Sequence, residues 1–84
     1  ADGSWVIDGS TSIRDINRML HWQLPTNGPK TLNGLIIETL ETIPESALSL
    51  RIDGYLIEIL QVRDNTVKTA KITLFSQQLP ISLD

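Results

Sequence analysis

The chain has 84 residues, of which 40% are hydrophobic, and its ten acidic and seven basic side chains give a net charge of −3. This size allows one small domain, and the hydrophobic fraction argues against disorder. The chain has no cysteine and only one histidine, which excludes disulfides, thiolate metal sites and multi-histidine metal sites. No apolar run approaches the ~20 residues of a membrane span, and the acidic balance disfavours nucleic-acid binding.

The first predicted elements are a short strand and a helix. Residues 5–7 are β-prone and are followed by an Asp-Gly turn signal. Ser12 has an acidic residue three positions later, which is the spacing of an N-terminal helix cap. Apolar residues then recur at spacings of three and four, so a helix is predicted at about 12–21. Trp22 and Leu24 are expected to fold back under its end.

A proline- and glycine-containing loop at residues 23–30 separates this helix from a second one. Thr31 is the predicted cap of the second helix, and Pro44 is predicted to end it. Gly34 lies inside this helix, where it could allow close packing on the sheet. The predicted apolar stripe consists of Leu32, Leu35, Ile36, Thr39, Leu40 and Ile43.

Two turn signals predict a three-stranded antiparallel meander in the second half of the chain. Asp53-Gly54 is a strong two-residue hairpin turn, and the second turn is best placed at Asp64-Asn65. A one-residue slip would move the apolar residues of all three strands into water. The predicted pairs on the core face are Leu48–Ile59, Leu50–Ile57, Ile52–Tyr55, Ile59–Ala70, Ile57–Ile72 and Tyr55–Leu74, with Glu58–Lys71 on the other face.

The predicted fold class is α+β: a short N-terminal strand, two helices and the meander, with the helices packed on one face of the sheet. Leu56, Leu60 and Val62 are apolar but fall on the predicted solvent face. They indicate either peripheral packing of a central strand or a docking face for another domain or a second copy. Residues 1–75 are predicted as one domain and residues 76–84 as a flexible tail.

No residue is identified as catalytic or metal-ligating, and no cofactor-binding residue is assigned. His21 could act as a general base, but no neighbouring nucleophile or carboxylate supports that role. Asp8 and Asp53 precede glycines and could offer carboxylates to a divalent cation, although turn formation is their more common role. Arg14 and Arg18 share a helix face and could hold a phosphate, although a solvated face is the simpler interpretation.

Ordered blocks spread over residues 2–74 resemble one known family, the CorC/HlyC transporter-associated domain. Each block is a weak signal alone, whereas the ordered set is fairly specific. The blocks that carry the resemblance are residues 2–17, Leu24-Pro25, residues 31–38, residues 43–45, Ile52-Asp53-Gly54-Tyr55, Val67-Lys68 and Lys71-Ile72.

The resemblance implies a C-terminal cytoplasmic module of a membrane protein, following a transmembrane domain and a pair of CBS domains. Such proteins are associated with magnesium and cobalt efflux, and some are called hemolysin-like. The implied location is the cytoplasmic face of the bacterial inner membrane. Because the chain lacks an initiator methionine, we expect a soluble piece of a longer protein. The family fold resembles part of the PCMH-type FAD-binding fold.

Three functional hypotheses follow. The leading one is a non-catalytic regulatory or interaction module whose partners are the CBS pair and membrane domain of its parent chain, or a second copy, without nucleic acid. The second is binding of FAD or an adenine nucleotide, which rests on fold analogy alone, so no cofactor is assigned. The third is direct sensing of a divalent cation through Asp8 or Asp53.

Overall fold

An antiparallel sheet forms the centre of the computed structural model, which describes residues 3–74. Its strands are β1 (Ser4–Asp8), β2 (Ser49–Ile52), β3 (Tyr55–Arg63) and β4 (Thr66–Leu74), in the spatial order β1-β4-β3-β2. The helices α1 (Ile13–Leu20) and α2 (Leu32–Leu40), with the loop between them, supply half of the buried core residues, and the sheet supplies the other half. The predicted α+β fold is confirmed, and β1 joins the meander as a fourth strand beside β4.

The predicted register of the meander is confirmed at both hairpins. The turn residues Asp53, Asp64 and Asn65 have left-handed backbone φ angles between 48° and 60°, as two-residue hairpin turns require. Leu48 lies just before the start of β2, and its carbonyl still accepts a hydrogen bond from the Ile59 N–H at 2.9 Å. The pairs of the register are Leu50–Ile57, Ile52–Tyr55, Ile59–Ala70, Ile57–Ile72, Tyr55–Leu74 and Glu58–Lys71.

Two consecutive register shifts between β3 and β4 change which face of the sheet the side chains beyond them occupy. The register shifts on either side of Gln61, which lies opposite Thr69. Before the shift Ile59 is buried, and after it Val62 packs against the core opposite the buried Val67. The prediction that Val62 lies on the solvent face is therefore wrong, because a bulge reverses the alternation that the prediction assumed.

Both predicted helix caps are confirmed. The Ser12 hydroxyl accepts a hydrogen bond from the Asp15 N–H at 3.0 Å, and the Thr31 hydroxyl accepts one from the Gly34 N–H at 3.1 Å. The two cap residues also face each other in an isolated antiparallel bridge. The helices therefore begin side by side, and each cap hydroxyl satisfies one amide group of its first turn.

The chain folds back under the end of α1, as predicted. The side-chain amide of Asn17 accepts from the Leu24 N–H at 2.9 Å and donates to the Leu24 carbonyl at 3.0 Å. Trp22 is buried with its ring centroid 5.0 Å from that of Tyr55, and the Tyr55 hydroxyl accepts from the Gln23 N–H at 2.7 Å. These contacts fasten the loop after α1 onto the sheet.

The end of α2 differs from the prediction. The helix stops at Leu40, and Glu41 takes a left-handed conformation with φ 57°, so Ile43 is 61% exposed instead of lying on the buried stripe. Pro44 disfavours helical backbone at Ile43, so the helix must end before that residue, and the left-handed cap at Glu41 ends it at Leu40. Gly34 is close to Pro29 of the loop, so its predicted packing on the sheet is also wrong.

The two ends of the described chain lie next to each other. The Leu74 N–H donates to the Gly3 carbonyl at 3.3 Å, which extends the β1–β4 ladder by one step. The tail predicted at residues 76–84 lies outside the described residues. Within residues 3–74, no helix is long and apolar enough to cross a membrane.

Candidate functional site: a groove at the Asp8–Gly9 corner

The chain leaves β1 at a tightly packed corner. The Gly9 N–H donates to the Lys68 carbonyl of β4 at 2.8 Å, and the Gly9 carbonyl accepts from the Asn33 N–H of α2 at 2.8 Å. A Cβ atom on Gly9 would lie 2.0 Å from the Val67 carbonyl oxygen, which no side chain can do. The sequence signal Asp8-Gly9 therefore marks a close backbone approach, where only glycine fits.

Asn33 closes the edge of β4 beyond the point where β1 ends. Its side-chain oxygen accepts from the Val67 N–H at 2.7 Å, and Val67 itself is almost completely buried. Asn33 thus replaces the strand partner that β1 no longer provides. Sequence reasoning missed this role, because the only local signal is an asparagine in the first turn of a helix.

We expect Asn33→Ala to lower the free energy of unfolding by about 1–3 kcal/mol, because it leaves the buried Val67 N–H without an acceptor. Urea unfolding followed by circular dichroism measures this change. Asn33→Asp keeps an acceptor oxygen at the same position and serves as the matched control. We expect it to lower the free energy of unfolding less than Asn33→Ala does. Equal stability of the alanine variant and the original chain would contradict the proposed edge-closing role.

The carboxylate of Asp8 lies at the rim of this corner. Its Oδ1 atom accepts from both the Ser10 N–H and the Ser10 hydroxyl at 2.8 Å. These two bonds, with the positive charge of Lys68 nearby, hold the pKa of Asp8 below its ordinary value. Asp8 thus takes the turn-forming role, in which an aspartate bonds the backbone two residues ahead.

An open groove of about 770 Å³ begins at this corner. Its lining combines hydroxyl, amide and charged side chains, with two basic residues against one acidic residue, an arrangement suited to polar or anionic groups. The polar lining residues are Asp8, Ser10, Thr31, Asn33, Gln61, Arg63, Thr66, Lys68 and Thr69.

The structure does not bring the other sequence candidates to this groove. Asp53 lies in the β2–β3 turn, about six residues along the strands from the level of Asp8, which is a separation of ~20 Å. His21 is exposed at the end of α1, and Arg18 is exposed and paired with Asp15 at 2.6 Å. No three histidine or acidic side chains within residues 3–74 group closely enough to hold a metal ion.

The sheet face opposite the helices is a second candidate surface, which we call the outer face. The register places three basic and two acidic residues on it. It also carries three aliphatic residues, of which Val6 is 64% exposed and Leu60 39% exposed. The charged residues are Arg51, Arg63, Lys71, Asp8 and Glu58, and the third aliphatic residue is Leu56.

Curated relatives of this chain are much longer proteins, and the chain spans about a fifth or less of their length. It is 51% identical over 72 residues to a UPF0053 protein of Haemophilus influenzae and 45% identical over 71 residues to the UPF0053 inner membrane protein YfjD of Escherichia coli. These matches cover 86% and 84% of the chain but only 17% of each relative. A polyamine export protein of Escherichia coli is 29% identical over 92 residues, covering 99% of the chain and 21% of that protein.

Solved structures share the fold closely. A conserved protein from Haemophilus influenzae superposes with a TM-score of 0.83 at 50% identity, covering 88% of this chain and 91% of the other. The transporter-associated domain of a Xylella fastidiosa hemolysin, in complex with Mg²⁺ and Mn²⁺, gives a TM-score of 0.76 at 25% identity, with coverages of 89% and 91%. The model of the transporter-associated domain family CorC_HlyC matches residues 1–76, so the chain belongs to that family.

Proposed function

We propose that this chain is a non-catalytic regulatory module of a CBS-domain membrane transporter of the magnesium and cobalt efflux type. It acts at the cytoplasmic face of the inner membrane by docking on other domains of its parent chain, the CBS pair among them. Family membership supports this proposal. The inner membrane protein YfjD supports it as well, because the segment that matches this chain forms only 17% of that relative.

The single observation that carries the docking role is the uncovered outer face. The helices cover only one side of the sheet, and Val6 and Leu60 remain exposed on the other. An antiparallel sheet often leaves one face to water, but that face is then polar. Exposed aliphatic side chains beside charged ones on a flat face are typical of a surface that meets another protein.

Deletion of residues 1–84 from the parent transporter is expected to change the tolerance of cells to magnesium or cobalt. The physical reason is that a docked module biases the equilibrium between transporter states, and its loss removes that bias. Growth on graded magnesium and cobalt concentrations measures the effect. One relative is named a polyamine export protein, so a parallel series of spermidine concentrations tests which substrate the parent transports. A change in tolerance to spermidine alone would contradict magnesium and cobalt as the transported ions.

A matched pair of point variants separates docking from loss of the parent protein. Leu60→Glu places a charge on the outer face, whereas Met19→Glu places the same charge on the exposed side of α1. We expect the first variant to reproduce the deletion phenotype and the second to behave like the unmodified transporter, at equal amounts of protein by immunoblot. Identical phenotypes for the two variants would contradict docking through the outer face.

A second candidate function is direct binding of a divalent cation, which the Mg²⁺ and Mn²⁺ complex of the Xylella fastidiosa relative favours. Titration of the isotope-labelled chain with Mg²⁺, followed by amide NMR, tests it. Shifts concentrated around Asp8 would support a site, and shifts spread over all acidic residues would contradict one. Binding of FAD or an adenine nucleotide stays a prediction from fold resemblance, and a thermal-shift assay at millimolar nucleotide tests it.

A further inference from the structure

The chain contains the same dipeptide, asparagine followed by glycine, in two different structural settings. Asn27-Gly28 lies in the loop between α1 and α2, and Asn33-Gly34 lies in the first turn of α2. The backbone nitrogen that follows an asparagine can attack the Cγ atom of its side chain, and glycine leaves that nitrogen accessible because it has no Cβ atom. The two pairs therefore have similar intrinsic reactivity, and the fold decides which of them reacts.

The fold leaves the Asn27-Gly28 pair unrestrained. Both residues are exposed and lie in a bend outside the helices and strands. Neither of them forms a hydrogen bond with another residue of the part 3–74 that the structure describes. The loop is held on either side of the pair by backbone hydrogen bonds of Leu24 and Lys30. Rotation about the bonds of Asn27 therefore breaks no hydrogen bond of the fold.

The fold restrains the Asn33-Gly34 pair at both reacting groups. The side-chain oxygen of Asn33 accepts from the Val67 N–H at 2.7 Å. The Gly34 N–H, which would supply the attacking nitrogen, donates to the Thr31 hydroxyl at 3.1 Å. Helical backbone also directs this nitrogen away from the Cγ atom. Reaction at Asn33 therefore requires the first turn of α2 to open.

We infer that Asn27 is a site of spontaneous deamidation in the folded protein and that Asn33 is protected from it. The deprotonated Gly28 nitrogen forms a bond to the Asn27 Cγ atom, the Cγ–Nδ2 bond breaks, and the side-chain nitrogen leaves as ammonia. Water then opens the resulting succinimide ring at either carbonyl, which leaves aspartate or isoaspartate at position 27. The step needs no oxidant or reductant, and one added negative charge changes the net charge from −3 to −4.

The test incubates the chain 1–84 at 37 °C and pH 8, digests samples with trypsin and measures peptide masses, with a digest at time zero to correct for handling. Peptides 19–30 and 31–51 each contain one of the two asparagines. We expect the gain of about 1 Da to appear at least about tenfold faster in peptide 19–30, because reaction in the other peptide requires local opening. In 8 M urea the two rates are expected to agree within about threefold, since unfolding removes that protection.

Two variants separate the chemistry from the protection. Gly28→Ala is expected to slow deamidation of Asn27 at least about tenfold, because the added Cβ atom hinders the attacking nitrogen, while the backbone of Gly28 is not left-handed and accepts alanine. Thr31→Ala removes the hydrogen bond to the Gly34 N–H, and we expect it to raise the rate at Asn33 about fivefold without changing the rate at Asn27.

Each outcome of the rate comparison supports or overturns the inference. Equal rates in the two peptides of the folded chain would overturn it, because the fold would then protect neither or both. A rate at Asn27 that is more than about tenfold slower in the folded chain than in urea would also overturn it, since the loop would then be protected. Circular dichroism at each time point checks that the chain stays folded. The inference does not depend on docking, so either result leaves the proposed function unchanged.

Discussion

Replacing Gly9 by alanine is expected to lower the free energy of unfolding by about 3 kcal/mol or more. The added Cβ would lie 2.0 Å from the Val67 carbonyl oxygen, and that atom belongs to buried backbone that cannot turn aside. To make room, the corner must open and lose the bonds from the Gly9 N–H to Lys68 and from the Asn33 N–H to Gly9. Urea unfolding with two spectroscopic probes measures the loss.

Gly28→Ala is the matched control for this change. A Cβ at Gly28 would lie 3.4 Å from a terminal oxygen of the flexible Glu38 side chain, so a small rotation relieves the contact. We expect the stability of this variant to stay within about 0.5 kcal/mol of the original chain. A Gly9→Ala variant as stable as Gly28→Ala would show that the corner is not closely packed.

Ile57→Ala is expected to cost about 2–5 kcal/mol of unfolding free energy. Ile57 is completely buried in β3 between Leu50 and Ile72, so truncation leaves a cavity at the centre of the sheet. A domain of this size has a total stability of about 4–13 kcal/mol, so the variant loses a large part of it. Differential scanning calorimetry at pH 7 measures the fall in Tm.

The graded variant Ile57→Val tests whether the loss follows the size of the cavity. Removing one methylene group is expected to cost about 0.5–1.5 kcal/mol, because the smaller cavity loses fewer contacts. If Ile57→Val and Ile57→Ala lower the stability equally, the cost arises from strand propensity or the unfolded state and not from core packing.

The sheet was predictable because two short turns determine the register of three strands. Asp53-Gly54 and Asp64-Asn65 set the pairing, and alternation then places Ile57 and Ile59 in the core. The same reasoning could not find the bulge near Gln61, since an inserted residue carries no composition signal of its own. Alternation therefore predicts the wrong face for Val62, and the sequence leaves the pairing of β1 with β4 open because no turn connects these strands.

The candidate surfaces were less predictable than the fold. Asp8-Gly9 was identifiable as a turn, but its contacts with Val67 and Asn33 join positions more than twenty residues apart. No local pattern encodes such contacts. The outer face was equally hidden, because Val6 and Leu60 come from strands far apart in the sequence and share one sheet only after β1 pairs with β4.

The hydrogen bond between Leu74 and Gly3 has a practical consequence for protein engineering. The two ends of the described chain meet at one edge of the sheet. Residues 3–74 can therefore be inserted into a surface loop of a host protein without distorting the host loop or the inserted domain. The same proximity permits circular permutation, with a short linker from Leu74 to Gly3 and new ends opened in the loop between α1 and α2. Such permutants would carry fluorescent reporters far from the outer face and leave it free.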